Sequence, residues 1–126
     1  MTALLDTSLV IASDERGELD LPETAAISVI TLGELRAGVL RARDAQVRAA
    51  RARRLRSVRA AFAALPLDEE IAERYGEVLA AARDLGRTVK ATDLIVIATA
   101  ATTGRVLYTL DNAQAGLARE LRVPVG

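Results

Sequence analysis

Four acids, Asp6, Glu34, Asp93 and Asp111, are the residues of this chain whose type and placement could do chemistry. Asp6 closes a short apolar run at residues 3–5, and Glu34 comes soon after a second one at 25–29. Asp93 lies at the start of the apolar stretch 91–103, and Asp111 directly follows the apolar run 106–110. The sequence holds no histidine and no cysteine. That excludes a Ser-His-Asp triad, a histidine general base, a histidine zinc site and any thiolate chemistry. Carboxylates are the main reactive groups left. Several carboxylates brought together repel one another, and a divalent cation relieves the repulsion. Ligands that are all oxygen suit Mg²⁺ or Mn²⁺. Two such ions can activate a water and stabilise the leaving oxygen when a phosphodiester is cleaved.

The elements that must carry these acids alternate between short apolar runs and helical stretches. Residues 3–5 read as a strand and 7–12 as a helix, with a polar loop at 13–22 punctuated by Gly17 and Pro22. A strand over 25–29 is followed by a helix to about Ala42, opened by a capping box with Thr31 as N-cap and Glu34 three residues on. A helix at 44–61 has a weak apolar stripe of Val47, Leu55, Val58 and Phe62, and 63–67 is a strand that Pro66 confines to an edge. Asp68 caps a helix over 69–85, in which Ile71, Tyr75, Val78, Leu79 and Ala82 recur at helical spacing, and Gly86 ends it. A helix at 91–103, apolar nearly all round and stopped by Gly104, leads to a strand at 106–110, a helix at 112–121 and a last strand at 123–125. Strands buried on both faces and joined by helices specify a parallel sheet in an α/β sandwich. In such a sheet the C-terminal strand ends and the helix N-termini share one edge, where ligands bind. All four acids fall on that edge.

A plainer account competes for each acid. Every one of them sits where a cap or a first-turn acid stabilises a helix, and the capping box would account for Glu34 by itself. The hydroxyls of Thr7, Ser8 and Thr109 flank the acids and could orient a carboxylate or a water, although Thr7 and Ser8 are also ordinary first-turn residues. Gly33 and Gly38 weaken the second helix, which a close approach of another segment would explain.

Composition narrows the class. With 126 residues, 51% of them hydrophobic and 27% charged, the chain has material for one cored domain and is neither disordered nor a membrane span. Absence of cysteine, of a basic leader and of a long apolar run points to the cytoplasm. Phe62, Tyr75 and Tyr108 are the only aromatics, too few for a base-stacking platform. Net charge is zero but segregated: residues 35–59 carry nine arginines against one acid. That block, with Arg36, Arg41 and Arg43 near its start, is either a phosphate-binding surface or a solvated helix pair. Lys90, the only lysine, stands three residues before Asp93, where it could meet that acid or a phosphate.

Four fragments resemble the acidic motifs of the PIN-domain ribonucleases, most nearly the VapC toxins of type II toxin–antitoxin modules. They are LLDTSLV around Asp6, SVITLGELRAG around Glu34, ATDLIVIATAA around Asp93 and LYTLDNA around Asp111. Their order and spacing agree with the family over essentially the whole chain, and ITLGELRAG and TDLIVIATA are the more specific pieces. The resemblance implies a single PIN-like domain over residues 1–126, a three-layer α/β/α fold with a short-stranded, mostly parallel central sheet. It implies a Mg²⁺- or Mn²⁺-dependent endoribonuclease in which Asp6, Glu34, Asp93 and Asp111 are the catalytic and metal-binding acids. A VapB-like antitoxin that covers the site and a homodimer are implied as partners. Thr7, Thr109 and Asn112 would support the acids, and Arg36, Arg41, Arg43 and Lys90 would contact RNA. One departure stands out: many relatives carry an Asp-Phe-like pair after the fourth motif, where this chain reads Ala113-Gln114-Ala115-Gly116. Asn112 is therefore a candidate to share or replace the role of Asp111.

Two other classes remain open at this point. A receiver-like signalling domain is also a doubly wound α/β unit with acids at its strand ends, but it wants an acidic pair after the first strand and a lysine after a late one. A non-catalytic α/β binding module would use the acids as caps only.

Overall fold

The computed structural model describes residues 2–16 and 24–126, and the predicted loop residues 17–22 lie outside them. Four parallel strands, β1 (Ala3–Leu5), β2 (Ala25–Ser28), β3 (Ala63–Leu65) and β4 (Val106–Tyr108), form one sheet in the order β3-β2-β1-β4. Central β1 is fully buried because both of its edges are paired and both faces are covered: Ala3, Leu4 and Leu5 are each 0% exposed. Side chains alternate along a strand, so one residue step divides the core in two. Leu4, Ala26 and Leu107 pack with Ile71, Ile97 and Leu117, which belong to α4 (Glu69–Asp84), α5 (Ala91–Thr103) and α6 (Asn112–Glu120). Ala3, Leu5 and Ile27 pack with Leu9, Leu35 and Val58, from α1 (Thr7–Arg16), α2 (Val29–Arg41) and α3 (Ala45–Ala61). The result is the expected α/β/α sandwich with a parallel sheet, and it brings the C-terminal ends of β1, β2 and β4 to one edge. Among the described residues no helix is long and apolar enough to cross a membrane.

Most boundaries follow from local chemistry. Asp44 accepts from the amides of Gln46 and Val47 to start α3, and Asp68 accepts from Ile71 to start α4. Gly86 and Gly104 take φ of 68° and 65° after α4 and at the end of α5, a left-handed turn that costs a Cβ-free residue little. β3 is the edge strand that Pro66 implied.

Several expectations are corrected. The second helix does not begin with Thr31 as N-cap. Ser28 is the cap, its Oγ accepting from the Ile30 amide at 3.1 Å, so the helix starts three residues earlier and takes in Val29 and Ile30. Thr31 is fully buried inside it, and Glu34 lies in its second turn. The first helix runs on to Arg16, so residues 13–16 are helical rather than loop. β4 ends at Tyr108, two residues short of the expected run. The final strand reduces to a single bridge between Leu107 and Val125, since Pro124 has no N–H to extend the ladder. Val47 is exposed and does not join the apolar stripe of α3. Gly33 and Gly38 do not mark close approaches: a Cβ at either would meet nothing within 4 Å.

Candidate active site

Asp6 follows β1 directly and is only 4% exposed. Its Oδ2 accepts from Ser8 Oγ at 2.7 Å and from the Ser8 amide at 3.2 Å, and lies 3.2 Å from Thr109 Oγ1, beyond the end of β4. Its Oδ1 faces Gln114 Nε2 at 3.4 Å. A carboxylate with donors on both oxygens keeps one orientation. Glu34 is placed differently, through the neighbouring helix. Thr7 Oγ1 lies 2.7 Å from Glu34 Oε1 and 3.0 Å from Thr31 Oγ1, so α1 and α2 meet in a buried hydroxyl pair that holds the carboxylate at the sheet edge.

Asp93 occupies the first turn of α5 and is 6% exposed. No hydrogen bond from the described residues reaches its carboxylate, and α5 draws no side-chain cap from Lys90 at its start. Burial is the main cause that pushes Asp93 up from 3.8 to about 6; the charges of Asp6, Asp111 and Glu34 add to the rise, and nearby Lys90 opposes it. The charges of all four acids are therefore felt at one point. Asp111 is the N-cap of α6, accepting from the Gln114 amide at 3.0 Å, while Asn112 is an exposed residue of the first turn. Asp111 is thus near enough for its charge to act on Asp93, and no side-chain hydrogen bond among the described residues links Asn112 to the acids.

The cluster is looser than expected. Among the described residues, no three carboxylates stand close enough to grip one ion between them. Each of Asp6, Glu34 and Asp111 is held back by its own hydrogen bonds. The donor set nevertheless fits a hard cation, because Mg²⁺ is usually bound through one or two carboxylates and keeps several waters. Asp93, with its free carboxylate, and neighbouring Asp6 could supply those.

Two of the acids bond no helix-start amide, although Asp93 does stand in the first turn of α5, where a negative charge is favoured. Asp6 and Asp111 bond helix-start amides and serve as caps as well, but Glu34 and Asp93 cap nothing. The caps-only account fails at these two residues. The receiver layout fails as well, since Lys90 precedes a helix and follows no strand. Of the basic residues, Arg36, Arg41 and Arg43 are exposed on the rim of α2 and the turn after it. Lys90 is exposed but close enough for its charge to act on Asp93.

The residue that the sequence did not reveal is Gln114. It is fully buried; its Oε1 accepts from Thr109 Oγ1 at 2.7 Å, and its Nε2 donates to the Asp93 carbonyl at 3.2 Å and faces Asp6. One amide thus ties together β1, the segment after β4, α5 and α6. The pattern Asp111-x-x-Gln114 is that of a capping box, in which the glutamine would turn back to the Asp111 amide. Thr109 Oγ1 takes that amide instead, at 3.0 Å, and releases Gln114 into the site.

The PIN domain family model matches residues 3–120, which includes all four acids. The chain belongs to the PIN-domain family. This PIN domain is 37% identical over 117 residues to Ribonuclease VapC5 of Mycobacterium tuberculosis, spanning 90% of this chain and 86% of that protein. To Ribonuclease VapC8 of the same organism it is 42% identical over 100 residues, spanning 77% and 88%. In structure it is similar to VapBC-5 of M. tuberculosis, a member of the VapBC family of toxin–antitoxin systems, with a TM-score of 0.81, 36% identity, and coverage of 92% of this chain and 90% of that one.

Proposed function

We propose that this PIN domain is a Mg²⁺- or Mn²⁺-dependent endoribonuclease, a toxin that a VapB-like antitoxin neutralises and that works in the cytoplasm as a homodimer. In this reading residues 1–126 are one catalytic domain, with Asp6, Glu34, Asp93 and Asp111 as its acids. The relatives named as ribonucleases, and the likeness to a VapBC protein, support it. The observation that carries it is Asp93. A carboxylate within reach of the charges of three other acids, engaged by no hydrogen bond among the described residues and pushed up to about 6, costs the fold more than its first-turn position in α5 returns. Binding a cation would relieve that cost.

Asp93 and Asp6 would hold a divalent cation, which would supply Lewis-acid chemistry toward the phosphodiester and the attacking water. The chain's own residues do the remainder. Ser8 donates to one oxygen of Asp6 and Gln114 to the other, so the carboxylate need not reorganise when charge builds up. Thr7 engages Glu34 through Oε1 only, which leaves its second oxygen to orient a water and take its proton. Asp111 adds negative charge at the rim, and Lys90 lies where it can meet a substrate phosphate.

Purified protein should cut RNA internally with Mg²⁺ or Mn²⁺, and chelation should stop it. Asp6→Asn and Asp93→Asn should each lower the rate by about a hundredfold or more. Undiminished cleavage by either variant refutes the assignment. Light scattering tests the homodimer.

A further inference from the structure

Resting on the nuclease reading above, a second part of the substrate site can be located. α1, α2 and α3 enclose a cleft of about 270 Å³, lined by Glu15, Glu34, Leu35, Gly38, Arg51 and Arg54. Glu34 belongs to both places, so the cleft opens directly off the acidic centre.

Its two arginines differ in what they already bind. Arg54 is matched to acids, with Nε 2.8 Å from Asp14 Oδ2 and one guanidinium nitrogen 3.6 Å from Glu15 Oε1. Arg51 has no carboxylate partner among the described residues. One of its Nη atoms donates to the Gly38 carbonyl at 2.8 Å, which anchors the half-buried guanidinium while the remaining donors stay available. Gly38 lines the cleft, and a Cβ there would meet nothing within 4 Å. An anchored guanidinium with spare donors suits a phosphate better than a mobile surface side chain does, because less freedom is lost on binding. The exposed Arg36, Arg41 and Arg43 have no such anchor.

We propose that the α1–α2–α3 cleft is a subsite for a backbone phosphate of RNA next to the scissile one, bound by Arg51. A strand whose scissile phosphate lies at the carboxylates passes Glu34 and enters this cleft, and Arg51 neutralises the charge that follows.

The test is binding of a fluorescently labelled single-stranded RNA of random sequence to the full chain in chelator, measured by anisotropy across a salt series. Arg51→Ala should weaken binding about tenfold, the loss of one charged hydrogen-bonding partner, and reduce the slope of log affinity against log salt by about 0.7. Arg53→Ala, an exposed neighbour on α3, should change neither. Gly38→Glu puts a carboxylate beside the Arg51 guanidinium, where it competes for the spare donors and repels a phosphate; it should weaken binding at least as much while far-UV circular dichroism stays that of the parent. In cleavage assays Arg51→Ala should raise KM and leave kcat within about twofold. If Arg51→Ala and Gly38→Glu bind RNA like the parent, the subsite is wrong, and it is equally wrong if they weaken only antitoxin binding. Asp6→Asn separates the two claims: it should abolish cleavage yet keep the Arg51-dependent RNA binding. A parent chain that neither binds nor cuts RNA overturns the nuclease reading itself.

Discussion

Removing the charge of Asp93 should make this protein more stable while destroying its activity. The carboxyl rises from 3.8 to about 6, chiefly through burial and then through Asp6. That is about two units of 1.36 kcal/mol each at most; the carboxylate keeps contact with solvent at the sheet edge, so screening cuts the burden of the ionised form to on the order of 1–2 kcal/mol at neutral pH. Asp93→Asn keeps the shape and removes the burden. It also gives up the favourable position of an acid in the first turn of α5, about 0.3–1 kcal/mol. A net gain of about 1 kcal/mol is expected, or roughly 4 °C in Tm for a domain of this size. Between the unfolded and folded values the native chain keeps a proton that the unfolded chain has lost, so parent stability falls as pH rises from about 4 to 6. The variant escapes this fall: its advantage should be near zero below about pH 4 and complete above about pH 6. Urea denaturation in chelator, followed by far-UV circular dichroism because the chain has no tryptophan, measures both quantities. A variant no more stable than the parent at pH 7, or an advantage that does not shrink on acidification, refutes the account of Asp93.

Three further outcomes follow from named contacts. Gln114→Ala strands the Thr109 hydroxyl and one oxygen of Asp6; it should cost about 1–3 kcal/mol in urea denaturation and weaken Mn²⁺ binding by calorimetry, and unchanged Mn²⁺ affinity would remove Gln114 from the site. Leu107→Ala, at 0% exposure in the core beneath α6, should cost about 2–5 kcal/mol; a loss under 1 kcal/mol would contradict the packing described. Gly104→Ala forces a Cβ onto a residue with φ of 65° and should lower stability by about 1 kcal/mol, whereas a gain would mean that the turn does not need a left-handed residue.

Apolar runs and caps made the architecture legible. The short runs at 3–5, 63–67 and 106–110 each contain a strand, two of them two residues shorter than expected, and Asp44, Asp68 and Gly104 marked helix ends through chemistry that needs no tertiary partner. The errors lie where two local signals conflicted. Val29 and Ile30 are β-branched and extended the strand on paper, while Thr31 and Glu34 spelled a capping box one turn too late. Ser28 was an equally good cap, and burying Thr31 against Thr7 decided between them. A single sequence cannot rank two adequate caps, because the deciding contact is 24 residues away.

That error bears directly on how the acids are to be understood. With Thr31 as the cap, Glu34 had a complete local explanation and the four-acid pattern lost a member. With Ser28 as the cap, Glu34 has no backbone amide to serve, and its partner is Thr7 from another helix. Gln114 shows the same principle from the other side: its capping-box spacing predicts a local bond, and the fold spends that side chain on Asp6 and Asp93 instead. In both cases a side chain that could satisfy its own helix is turned toward the sheet edge, and a hydroxyl or an earlier cap takes over the local duty. Asp6 and Asp111 could be kept by any stable α/β domain as caps. Glu34 and Gln114 have no such reason to be where they are, and Asp93 has only the modest gain of a first-turn acid, so the case for a cation-binding catalytic centre rests on these three rather than on a count of acids.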